Sequence, residues 1–177
     1  MDPTDERFIA AFSQSLVSLP HDVKALLSAL GDANLQPGVK RSLACGANYL
    51  RKSLDLIDDG VEGLGYLDDA FIVRLLCEQA QSRGPLPDEL RTLAAEAELV
   101  RGFLGPLYER AERYVTGLEQ LAVRGRSVEA IVSDAGCREE LTADLLDWAA
   151  RYKSPQFVLD GLGLSKLRSF FAARLPN

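Results

Sequence analysis

Leu67-Asp68-Asp69-Ala70-Phe71-Ile72-Val73-Arg74-Leu75-Leu76-Cys77-Glu78-Gln79-Ala80-Gln81 decides the fold. Nine of these side chains are apolar: Leu67, Ala70, Phe71, Ile72, Val73, Leu75, Leu76, Cys77 and Ala80. At helical spacing they cover nearly every side, and a helix apolar all round is buried within a core. The run is too short for a bilayer, which needs about 20 apolar residues. It therefore predicts the central helix of a globular core, with Phe71 deep inside.

Its neighbours read as amphipathic helices. Upstream, Asp2 and Pro3 suit a helix start, and Phe8, Phe12 and Leu16 recur every four residues. Pro20 is expected to end that helix. A second carries Val23, Leu26, Leu27 and Leu30 up to Gly31, and Pro37 opens a third on Val39, Leu43, Ala47 and Leu50. Downstream, Gly84-Pro85-Leu86-Pro87 is the clearest break in the chain. A helix on Leu90, Leu93, Ala97 and Val100 follows it. Residues 106–123 then predict one with Tyr114, Leu118 and Leu121. Ser127 stands to cap a short helix ending near Gly136, Glu139 to Tyr152 holds Trp148, and the last helix runs from Ser165 to Leu175. The expectation is all-α: a single compact domain over 1–177, about seven to nine helices, and no significant sheet.

Apolar residues make up 47% of the chain and charged residues 26%, enough to bury a core and against disorder. A formal net charge of -6 disfavours nucleic acid as a partner, because phosphate binding needs a cationic surface. Cys45, Cys77 and Cys137 are far apart and odd in number, which argues for reduced thiols and a cytoplasmic location. The acidic start lacks the basic and apolar regions of a secretory signal.

Residues 49–69 read YLRKSLDLIDDGVEGLGYLDD. Tyr49, Leu50, Asp55, Leu56, Ile57, Asp59, Gly65, Tyr66, Leu67, Asp68 and Asp69 stand in one ungapped register. That register resembles the signature of the YkvA-like family: Tyr-Leu, then Pro-x-Asp-Leu-Ile-Pro-Asp, then Gly-Tyr-Leu-Asp-Asp. The resemblance implies a YkvA-like segment over residues 37–82, followed by a helical half over 87–177. The family brings no agreed activity. Ser53, Asp58 and Glu62 replace its prolines, so this segment is free to be more helical than the resemblance implies.

Read from its residues alone, the segment is acidic. Asp55, Asp58, Asp59 and Glu62, if helical, share one arc opposite Leu54, Ile57, Val61 and Leu64. Such an arc is either a solvated polar face or a set of oxygen ligands for a divalent cation. The first is favoured. An EF-hand fails, because Ile57 and Tyr66 fall where ligands are required. The aspartate-rich motif of isoprenoid synthases lacks its second copy. Asp68 and Asp69 are expected to cap the central helix, and Tyr49 and Tyr66 to pack their rings and hydrogen-bond. Gly65 is expected at a positive φ or a close backbone approach.

Other constellations are weaker. His21 is the only histidine, which excludes a triad or a histidine-rich metal site, and it reads as an exposed turn residue beside Pro20. The glycines at 60–65 and 161–163 read as turns. Lys40, Arg41, Arg51 and Lys52 form a basic edge, expected to pair with the neighbouring carboxylates or stay solvated. Ser165–Leu175 could touch a membrane surface through Leu164, Leu167, Phe171 and Leu175, although docking on the core is favoured. Two functions follow. The preferred one is a non-catalytic helical interaction or adaptor module with a protein partner and no cofactor. The alternative is a divalent-metal-binding protein or metal-dependent enzyme using Asp55–Asp69.

Overall fold

The computed structural model describes residues 3–52, 55–61, 64–155 and 159–177. Among them stand eight α-helices: α1 (Pro3–Gly31), α2 (Pro37–Tyr49), α3 (Leu67–Arg83), α4 (Asp88–Leu104), α5 (Tyr108–Gly117), α6 (Val128–Ser133), α7 (Ala135–Arg151) and α8 (Gly161–Arg174). The one sheet among the described residues is a two-residue hairpin, β1 (Ala122–Val123) against β2 (Arg126–Ser127). The all-α expectation holds.

α3 is the central element. It packs most closely against α2 and α4, with α1 and α5 also in contact. Its apolar residues from Leu67 to Ala80 are buried on every side. Phe71 sits in a knot of aromatic rings. Its centroid lies 4.6 Å from Phe12 of α1, 5.9 Å from Phe103 of α4 and 5.4 Å from Phe171 of α8, the last ring almost parallel. These rings tie four helices together, and offset or edge-on contact adds to their area burial.

Several boundaries differ from the sequence expectations. Pro20 does not end a helix: α1 runs through it for 29 residues, because Leu16, Leu19 and Val23 are buried on both sides of it. His21 is therefore an exposed mid-helix residue rather than a turn residue. The expected helix over 106–123 is split. Two 3-10 turns (Gly105–Leu107 and Leu118–Gln120) bracket α5, and Leu121 is extended and 40% exposed. Ser127 caps α6 by accepting from the Ala130 N–H, but α6 ends at Ser133. Asp134 then caps α7 through the N–H groups of Gly136 and Cys137. Gly161–Gly163 forms the first turn of α8, capped by Asp160, and is not a loop.

α8 docks on the core. Leu164, Leu167, Phe171 and Leu175 are all buried, and Arg110 of α5 donates to the carbonyls of Ala172, Leu175 and Pro176 at its end. The apolar stripe that would have met a membrane surface is occupied by the protein itself. No helix among the described residues is long and apolar enough to cross a membrane. Asp2 lies outside the described residues.

Candidate functional site

The segment between α2 and α3 was free to be helical by sequence, but residues 55–61 are bends and turns. The reason is visible in its apolar residues. Leu56 and Ile57 are adjacent, and both are buried, at 4% and 1% exposure. With both side chains in the core, the N–H groups of Leu56 and Ile57 go to side-chain acceptors on α2 and α3 instead of to helical carbonyls. Asp58 then turns the chain. Its Oδ1 accepts from the Gly60 N–H at 2.8 Å and its carbonyl from the Val61 N–H at 2.8 Å. The expected arc of carboxylates opposite an apolar stripe does not form.

Tyr49 and Asp68 clamp this segment. The Tyr49 hydroxyl donates to Asp68 Oδ2 at 2.7 Å and accepts from the Leu56 N–H at 3.3 Å. The Ile57 N–H donates to the same Oδ2 at 3.2 Å. Two backbone donors of a buried stretch are thus satisfied by side chains from α2 and α3, as burial requires. Asp68 and Asp69 are not caps. They lie inside the first turn of α3, both buried, and the residue before the helix is Tyr66 with φ 69°. Their position still suits the positive end of the helix dipole.

Gly65 has the close backbone approach its sequence context called for. A Cβ there would stand 2.5 Å from the carbonyl oxygen of Asp59. The left-handed residue is its neighbour Tyr66, whose ring is held by Trp148 at 6.1 Å and Tyr152 at 5.1 Å.

Five carboxylates meet here: Asp55, Asp58, Asp59, Asp68 and Asp69. Burial pushes Asp55 up to about 7, and the charges of Asp68, Asp59 and Asp58 push the same way against Lys52. Asp59 is exposed as a residue, but partial enclosure of its carboxyl, followed by Asp68 and Asp58, raises it to about 6. Asp69 is held well above the usual carboxylate range by burial and by Asp68, Asp55 and Asp59. Asp68 is raised by burial in spite of the Tyr49 hydrogen bond. Asp55 Oδ1 and Asp68 Oδ1 are buried without a hydrogen-bond partner among the described residues. Asp58 and Asp59 are exposed. Glu62, the fourth sequence candidate, lies outside the described residues.

The basic edge, expected to pair with these carboxylates or stay solvated, forms no ion pair with them among the described residues. Arg41 pairs with Glu129 of α6. Lys52 donates to the Tyr114 hydroxyl at 2.7 Å and lies over the rings of Tyr49 and Tyr114. Arg51 feels the charges of Arg124, Arg126 and Arg151, with Asp144 opposing them. Sequence reasoning missed the aromatic side of the site, Trp148 and Tyr152, which comes from α7 and its end and has no local link to the motif.

Among the described residues, no group of three acidic, histidine or cysteine side chains is arranged to hold a metal ion. Compared with protein-family models, with characterised proteins and with solved structures, the chain matches none.

Proposed function

We propose that this chain is a non-catalytic, YkvA-like helical module whose acidic loop accepts a basic side chain, lysine or arginine, from a protein partner. One contrast carries the reading. The other acids that line helix contacts, Asp22, Glu78, Glu96, Glu119, Glu129 and Asp144, each have an arginine within salt-bridge distance. Among the described residues, none of the five carboxylates of the loop and the start of α3 does. Like charges held together in a half-buried place repel, and a cation brought to them is attracted more strongly than at an open surface. Asp58 and Asp59 are exposed at the mouth. The family resemblance at Tyr49–Asp69 supports a shared role for this segment without naming an activity. A cytoplasmic setting is part of the same reading, supported by the free cysteines. Cys45 and Cys77 are buried and pushed up to about 12 by that burial, which keeps them as inert thiols.

The test uses the single tryptophan, Trp148, which packs against Tyr66 at the edge of the loop. Its fluorescence is followed while an arginine-rich peptide, and separately Mg²⁺, Ca²⁺ or Mn²⁺, is titrated at low salt. Saturable peptide binding should appear, weaken with added salt, and be lost in Asp55→Asn/Asp59→Asn but kept in the distant control Asp88→Asn. A divalent-ion rise in melting temperature that the double variant loses would move the site to the metal-binding alternative. A response to neither probe, or one that both variants keep, would overturn the acidic loop as a binding site.

A further inference from the structure

Between α1 and α4, over the middle of α3, lies a cavity of about 320 Å³. That volume is at the lower end for small-molecule sites. Its walls are apolar, with Phe12, Ala25, Leu93 and Val100 among them, and its floor is charged. Arg74, the only charge in the middle of α3, is 3% exposed and Asp22 of α1 is 4% exposed. Glu96 of α4 completes the group at the rim, its side chain 39% exposed. His21 stands at the same mouth.

The hydrogen bonds decide what this floor can recognise. Arg74 Nε donates to Glu96 Oε2 at 2.8 Å, Nη1 to the Ala70 carbonyl at 3.1 Å, and Nη2 to Asp22 Oδ2 at 3.3 Å. All three guanidinium nitrogens are engaged by the protein and two carboxylates flank them, so an incoming anion would meet repulsion from Asp22 and Glu96. Two carboxylates share one guanidinium, which leaves the floor one negative charge in excess when both are ionised. On each carboxylate the contacts fall on a single oxygen. Ser18 and Arg74 both donate to Asp22 Oδ2, and both Arg74 nitrogens approach Glu96 Oε2. The second oxygen of each remains to accept from a ligand. Burial comes first among the causes that raise the Asp22 carboxyl, with Arg74 opposing it.

We propose that this cavity is a binding site for a small organic amine, with an apolar body against Phe12, Leu93 and Val100 and a protonated nitrogen donating to Asp22 and Glu96. The site is separate from the acidic loop. The Asp22–Arg74–Glu96 group also joins α1, α3 and α4, and the cavity above it is what turns that junction into a site.

Hexylamine and 2-phenylethylamine are the probes, with 1-hexanol and hexanoate as controls of equal length, measured by calorimetry and thermal shift on the full chain. Both amines should bind saturably at least tenfold more tightly than the alcohol, and hexanoate should not bind. Glu96→Gln, half exposed and so compatible with folding, should weaken the amines at least tenfold with the alcohol unchanged. Ala25→Leu, which fills the cavity, should abolish binding while the melting temperature holds. Equal binding of amine and alcohol, preference for hexanoate, no saturable amine binding, or amine affinity unchanged in both variants would each overturn the proposal.

Discussion

The hydroxyl of Tyr152 donates a 2.8 Å hydrogen bond to the backbone carbonyl of Leu16, 136 residues away. Leu16 is four residues before Pro20, and proline has no N–H to close the helical bond at that carbonyl. α1 nevertheless continues through Pro20 to Gly31. The residue after α7 supplies the missing donor, which helps explain how a proline is tolerated in the interior of the longest helix.

Tyr152→Phe should therefore cost about 1–3 kcal/mol, the range for leaving a buried acceptor unmet. Pro20→Ala restores an N–H at the right place, so the same substitution should cost much less in that background. A double-mutant cycle in denaturant should give a coupling of about 0.5–3 kcal/mol. Additive effects would show that Tyr152 acts only through its ring.

Tyr49→Phe removes the clamp on the loop. Asp68 loses its shortest donor and the Leu56 N–H loses its acceptor, so the expected cost is again about 1–3 kcal/mol. Hydrogen exchange should show faster loss of protection at Leu56 and Ile57 than at α4. Unchanged stability and unchanged exchange would mean the apolar anchors hold the loop alone.

Gly65→Ala places a methyl group against the Asp59 backbone, at 2.5 Å from its carbonyl oxygen. Backbone cannot swing aside as a side chain can, so the variant should lose about 1–3 kcal/mol, as overpacking does. A melting temperature equal to the wild type would refute the close approach.

Asp55 and Asp59 make a pH prediction. Their folded values, about 7 and about 6, lie above the ordinary carboxylate range. The fold favours their protonated forms. That contribution is complete below about pH 4 and is lost as pH rises through about 6 and 7. Between pH 5 and pH 8 the wild type should lose melting temperature relative to Asp55→Asn/Asp59→Asn. A constant difference across that range would contradict the raised values.

Phe71→Ala should be the most damaging core truncation among these, at about 3–5 kcal/mol, because the ring touches α1, α4 and α8 at once. A loss below about 1 kcal/mol would remove α3 from the centre of the fold.

The sequence by itself determined the helical class and the central place of Leu67–Ala80, because hydrophobic periodicity is a local signal that burial must obey. It also singled out Tyr49, Gly65, Asp68 and Asp69 as positions of interest. Tyr49 packs and hydrogen-bonds and Gly65 makes a close approach, as read, but the acids were misread: neighbouring residues argued for caps and a polar helical face, whereas Asp68 is a buried acceptor for Tyr49 and Ile57. Pro20 misled for the same reason. A proline ends a helix unless something distant satisfies the freed carbonyl, and Tyr152 is invisible at that range. The pairing of Arg74 with Asp22 and Glu96, the turning of Lys52 toward Tyr114, and the cavity above Arg74 were decided only by tertiary structure. Each depends on which helix faces which, and that is settled by packing across separations of 22 to 136 residues that no local pattern encodes.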